Sequence, residues 1–224
     1  MACDVPAPYG DLRILVIDDR DDELANAEVT LYLSEADYNI EQNPYRGPSL
    51  TDSEGNVAFL NLEDTVYYVN VVKGNLNNWE SAQVRRKIII TENGFSNRQI
   101  YALSDNRSGR LSSPAGKGWR IQQVFFEGED ISDTYTACLR DNVFRFFKGG
   151  SYQEEEETLA CTPGQLVIPG RWQFSSDGTQ LTLTSAFSTQ VWTIITLTTS
   201  QLRISYNTTY ESVFGEIEII LSSS

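Results

Sequence analysis

The feature that most constrains this chain is a repeated one. Short runs of alternating or β-branched residues recur along its whole length, each soon broken by Gly, Asn, Asp or Ser, and no stretch is patterned as a long helix. A period of two places every second side chain on one face of a strand, so such runs describe half-buried strands. Many short strands separated by polar turns describe sandwiches and barrels. In the first half Leu12, Ile14 and Val16 alternate, followed by Val29, Leu31 and Leu33, then Val57 and Phe59, then Tyr67, Val69 and Val71. Further runs cover residues 85–91 and 99–103. Turn-forming clusters separate them, among them Asp52-Ser53-Glu54-Gly55-Asn56 and Glu92-Asn93-Gly94.

The second half has a different rhythm. Strand-like runs span 119–127, 142–147, 151–157, 170–174, 180–185, 191–197, 201–206 and 214–221. Tight turns such as Lys148-Gly149-Gly150, Ser175-Ser176-Asp177-Gly178 and Thr198-Thr199-Ser200 join successive antiparallel strands. An up-and-down meander of this kind escapes its exposed edges by closing into a barrel. Residues 105–116 are polar and rich in Ser, Gly and Pro, the composition of a linker. The spacing therefore predicts an all-β chain: a tether over 1–9, a β-sandwich over 10–104, a linker over 105–116 and an antiparallel β-barrel over 117–224. A chain of 224 residues is long enough for each half to close its own core.

Charge and composition narrow the function. Asp and Glu total 31 against 17 Lys and Arg, a formal net charge of −14. That balance argues against nucleic acid and against anionic lipid met through a basic patch. Histidine is absent, which removes the commonest general acid–base, the commonest metal ligand and the Ser-His-Asp arrangement together. There is no phosphate-binding loop, no nucleophile elbow and no carboxylate pair in a recognisable frame. The expectation is a protein that is not an enzyme and needs no cofactor or metal. The longest apolar runs, Ile88-Ile89-Ile90 and Ile219-Ile220-Leu221, are far too short to span a bilayer.

The start Met1-Ala2-Cys3, followed by Asp4-Val5-Pro6-Ala7-Pro8, resembles the mature start of a bacterial lipoprotein. That resemblance implies a leader already removed, a lipid on Cys3 and an extracytoplasmic location, anchored to the outer membrane. The alternative is an incidental cysteine. Setting Cys3 aside leaves Cys138 and Cys161, an even pair that suits one disulfide in an oxidising compartment, with two reduced core cysteines as the alternative.

Two acidic clusters stand out. Asp18, Asp19, Asp21, Asp22 and Glu23 are read as a solvated turn, since they lack the spacing of a calcium loop. Glu154 to Glu157 either alternate across both faces of a strand or fill a loop, and are read as an exposed edge or loop, with a cation- or partner-binding strip as the alternative. The aromatics Trp119, Phe144, Phe146, Trp172, Trp192 and Tyr206 fall on strands of one expected barrel. They either line a ligand cavity or fill the barrel.

Two family resemblances add to this reading. Ile14-Leu15-Val16-Ile17-Asp18, Ala27-Glu28-Val29-Thr30-Leu31-Tyr32, Thr51-Asp52-Ser53-Glu54-Gly55-Asn56-Val57-Ala58-Phe59 and Tyr67-Tyr68-Val69-Asn70-Val71 resemble the carboxypeptidase-regulatory-like, or prealbumin-like, sandwich domains. Trp119, Cys138, Asp141-Asn142-Val143-Phe144-Arg145-Phe146, Gly149-Gly150-Ser151-Tyr152, Cys161 and Gly170-Arg171-Trp172-Gln173-Phe174 resemble the lipocalin-like domains of Bacteroidota lipoproteins. The second resemblance implies a bridge between Cys138 and Cys161 and a barrel with room for a small apolar or glycan ligand. Two functions follow as expectations, a binding module and an accessory subunit docking on an outer-membrane complex. A carboxylate-dependent glycan hydrolase is the remote third.

Overall fold

The computed structural model describes residues 9–80, 85–87, 97–156, 159 and 167–224. With 58% of the chain in strands and 8% in helices, the class is all-β, as the alternation predicts. The chain divides into two compact units, Met1–Gly109 and Arg110–Ser224.

The first unit contains strands β1 (Tyr9–Ile17), β2 (Glu28–Tyr32), β3 (Arg46–Leu50), β4 (Asn56–Glu63), β5 (Val66–Lys73), β6 (Leu76–Asn77), β7 (Arg85–Lys87) and β8 (Asn97–Ala102). One sheet runs in the order β4-β1-β8 and the other β3-β2-β5-β6, with β7 also paired to β5. Their inner faces share one core, in which Leu12, Ile14 and Val16 of β1 meet Val29, Leu31, Tyr67, Val69 and Val71. Each such aliphatic side chain taken from water stabilises by about 1.5–3 kcal/mol. The turn before β4 is built as its residues suggest. Asp52 Oδ1 accepts from the amides of Glu54 at 3.0 Å and Asn56 at 2.8 Å. Gly55 takes φ 71°, and a Cβ there would stand 2.6 Å from the Val16 carbonyl oxygen. The acidic stretch after β1 is likewise a turn, in which Asp18 Oδ1 accepts from the amides of Arg20 at 2.8 Å and Asp22 at 3.0 Å. A short helix α1 (Glu35–Ile40) is capped by Ser34, whose Oγ accepts from the Asp37 amide at 3.0 Å.

Within residues 105–116, the helix α2 (Arg107–Leu111) ends on a fully buried Leu111 that belongs to the core of the second unit. That unit continues with β9 (Lys117–Phe126), β10 (Glu129–Asp130), the helix α3 (Ala137–Arg140), β11 (Val143–Phe146), β12 (Ser151–Glu155), β13 (Val167–Phe174), β14 (Gln180–Ser185), β15 (Thr189–Leu197), β16 (Gln201–Tyr210) and β17 (Val213–Ser223). Strands β9 and β11 to β17 pair in sequence order and antiparallel, and β17 returns to pair with β9. The result is a closed eight-stranded antiparallel barrel, with β10 as a short flap on β9.

Alternation decides what fills the barrel. Phe144 and Phe146 of β11 oppose Glu154 and Tyr152 of β12, and Leu202 and Ile204 of β16 oppose Leu221 and Ile219 of β17. A bulge between β9 and β17 shifts the register next to Gln122. Before it Trp119 and Ile121 enter the core, and after it Val124 and Phe126 do, so the inward parity changes from odd to even.

One end of the barrel is sealed by polar as well as apolar contacts. Trp119 Nε1 donates to the Leu111 carbonyl at 2.8 Å. Lys117 Nζ lies 4.8 Å from the centre of the Trp119 ring and donates to the carbonyls of Arg110 and Thr199, both at 2.6 Å. Burial holds the Lys117 ammonium below the usual lysine range.

Candidate functional site

The barrel is packed for part of its depth and open in the rest. Near the turn between β11 and β12, Phe146 stacks on Tyr152 with ring centres 6.0 Å apart, and its ring meets the edge of Trp172 at 6.3 Å. Trp172 Nε1 donates to the Phe147 carbonyl at 3.0 Å. Towards the opposite end a cavity of about 100 Å³ remains. Its walls are Glu154 from β12, Phe144 from β11, Trp192 and Gln190 from β15, Tyr206 and Ile204 from β16, Ile219 and Leu221 from β17 and Ile121 from β9. Tyr135 and Leu139, on the segment between β10 and β11, close it from above.

Of the six aromatics expected to line a site, the structure brings together Phe144, Trp192 and Tyr206. Trp119, Phe146 and Trp172 lie outside this cavity, because their levels on the strands are those of the sealed, aromatic-filled part of the barrel. Trp172 also borders an open surface depression of about 470 Å³ with Gly150, Pro169 and Arg171.

The expectation for the glutamate run needs correction. Strand β12 is no edge, since β11 and β13 flank it. Glu154 projects into the barrel and lines the cavity, and Glu156 is buried. Glu155 alternates outward and pairs bidentately with Arg145, at 2.8 and 3.0 Å. Glu154 and Glu155 thus take opposite faces of β12. Glu157 and Cys161 lie outside the described residues, as does Cys3. Cys138 is on α3, in the same segment as the Tyr135 and Leu139 that cover the cavity.

The polar groups of the cavity form a defined set. Asn142 Nδ2 donates to Glu154 Oε1 at 2.8 Å. Burial pushes the Glu154 carboxyl above the usual carboxylate range; the Asn142 hydrogen bond opposes this and the charge of Glu156 adds to it. Burial likewise raises the Tyr206 and Tyr135 phenols, whose hydroxyls face each other. Trp192 Nε1 donates to Gln190 Oε1 at 3.0 Å, which fixes the indole against the wall. Phe144 and Trp192 meet edge to face with centres 5.4 Å apart. Glu154 lies on β12 and Glu156 one residue past its end, so the two come from one short segment and do not bracket a bond from two sides as glycoside chemistry requires. Among the described residues no group of three or more Cys, Asp or Glu side chains is placed to hold a metal ion. Among them, too, no helix is long and apolar enough to cross a membrane.

Sequence reasoning missed Glu154, Tyr135 and Asn142 as site residues. A signal existed for the first: Tyr152 and Glu154 share the parity of a strand whose neighbour alternates Phe144 and Phe146.

No family model matches the chain, and no curated protein matches it. Among solved structures it is similar to a Streptococcal ancillary pilin, at 9% identity and a TM-score of 0.30 over 76% of this chain and 60% of that one. It is also similar to the major pilin subunit of Bacillus cereus, at 9% identity and a TM-score of 0.32 over 96% of this chain. It spans 95% of that pilin in one crystal structure and 58% in another, of a variant. At these scores the likeness settles neither the fold nor the function of this chain.

Proposed function

We propose that the chain is a non-catalytic, extracytoplasmic binding module whose barrel receives the end of a small ligand. One observation carries this reading: a cavity of about 100 Å³ in which a carboxylate, two phenols and an indole converge. Pockets for drug-sized ligands run to about 300–1,000 Å³. A whole lipid or sugar chain therefore does not fit inside, and a compact head group does. The proposed anchor is a lipid on Cys3. A Cys138–Cys161 bridge, which the even thiol count favours, would tie the covering segment of α3 to the β12–β13 connection. Counting free thiols in oxidised protein tests the bridge, and two titratable thiols from these positions would exclude it.

The reading is tested by screening small fragments against isotope-labelled protein by NMR. Hits should shift the Trp192 indole and the Tyr206 amide. The cavity-filling variant Phe144→Trp should lose them while its thermal unfolding stays cooperative. Hits that spare both groups, or that survive in the filled variant, would refute it.

A second reading, docking on a membrane protein complex, draws on one feature. Phe187, Val213 and Phe214 are 74%, 56% and 73% exposed. They lie at the β14–β15 and β16–β17 connections, which the up-and-down order places at one end of the barrel. Under that reading the double variant Phe187→Ser, Phe214→Ser loses cross-linking to its partner.

A further inference from the structure

The composition of the cavity wall selects the charge of its occupant. A neutral apolar guest would strip water from Glu154 and give its carboxylate no compensating partner, a costly arrangement. An anion would meet Glu154 and the nearby charge of Glu156. A hard metal ion needs six or more oxygen ligands, and the rest of this wall is largely aromatic and aliphatic. What remains is a soft, bulky cation. Phe144, Trp192, Tyr135 and Tyr206 present ring surface, and such surface attracts alkylammonium groups most strongly when they are desolvated. Glu154 supplies the opposing charge from the wall of β12, and among the described residues no Lys or Arg pairs with it. Gln190 and Tyr206 also border an outer depression of about 530 Å³.

We infer that the barrel binds the ammonium head of a small organic amine, caged by Trp192, Phe144 and the two tyrosines and neutralised by Glu154. This rests on the binding reading above and names its ligand class. The cage takes a methylated or primary ammonium; a metal ion or a fatty chain does not meet its chemistry. The groups that surround Glu154 and bear on its response to pH are Glu156 beyond it on the same segment, Tyr152 on the same strand, Tyr135, Tyr206 and Asn142 as its donor.

The test uses the full chain and two isosteric probes, choline and its neutral carbon analogue 3,3-dimethylbutan-1-ol, titrated by calorimetry and by Trp fluorescence. Choline should bind saturably and at least about tenfold more tightly than the neutral probe. Glu154→Gln keeps the side-chain volume and an acceptor for Asn142, so its fold should persist, which thermal unfolding checks. It should weaken choline by about tenfold or more and tighten the neutral probe, which no longer desolvates an unpartnered carboxylate. Equal affinity for the two probes, or choline binding that Glu154→Gln leaves intact, would overturn the cation assignment while the cavity still binds a ligand. Failure of both probes would also overturn it, and the fragment screen then decides the broader binding reading by itself.

Discussion

Replacing Trp119 with Phe separates a core aromatic from a ligand-lining one. Trp119 is fully buried, and its Nε1 donates to the Leu111 carbonyl at 2.8 Å. Phe keeps a ring but has no donor, so a buried carbonyl loses its partner, at a cost of about 1–3 kcal/mol. The smaller ring also forfeits about two methylene equivalents of burial, at about 0.8 kcal/mol each. Together the loss comes to about 3 kcal/mol. At roughly 4 °C per kcal/mol for a unit of this size, the midpoint of the barrel transition should fall by about 12 °C. Urea unfolding followed by circular dichroism measures the free energy, with an unchanged slope expected because the surface exposed on unfolding is the same. Choline affinity should stay within about twofold, since Trp119 does not line the cavity. A loss under about 1 kcal/mol, or a selective loss of ligand, would show that the indole is not a structural plug.

Two further outcomes follow from named contacts. Burial raises the Glu154 carboxyl in the folded state, so its protonated form is favoured there. Its contribution to stability is full below the ordinary carboxylate range and is lost as pH rises through the raised value. Glu154→Gln, neutral throughout, should then exceed the parent in thermal stability at neutral pH, and the gap should close below about pH 4; a gap independent of pH would contradict this. In the first unit, buried Thr51 accepts from the Ala27 amide at 2.9 Å and donates to the Leu24 carbonyl at 2.5 Å. Thr51→Val conserves shape and removes both bonds, so chemical denaturation should report a loss of about 2–3 kcal/mol, and a change below about 0.5 kcal/mol would argue that water replaces them.

Much of this architecture was legible because period-two patterning and turn chemistry are local. Leu12, Ile14 and Val16 alternate inward as read, and the Asp52–Gly55 turn forms where its residues require it. Strand β3 escaped notice because Gly47 and Pro48 weaken a strand pattern; it is tolerated as the edge of its sheet. Helix α1 is too short for its period to emerge, although Ser34 followed by Asp37 is the signature of its cap. Glu154 was hidden by composition: four successive glutamates look like solvent-facing charge until register assigns alternate members to the interior. Tyr135 reaches the cavity from a connecting segment, and no pattern in a loop reveals which strand it covers.

The seam between β9 and β17 has a consequence for how the second unit is made. It joins Trp119–Phe126 to Ile217–Ser223, residues nearly a hundred positions apart in the chain. Loop closure on that scale is entropically costly, and topologies dominated by distant pairings fold slowly. On the ribosome, β9 emerges long before its last neighbour and must wait with an unpaired flank, a template for pairing with other chains. Removing β17 would leave two such flanks permanently, so the final strand decides whether the second unit presents open edges to other chains.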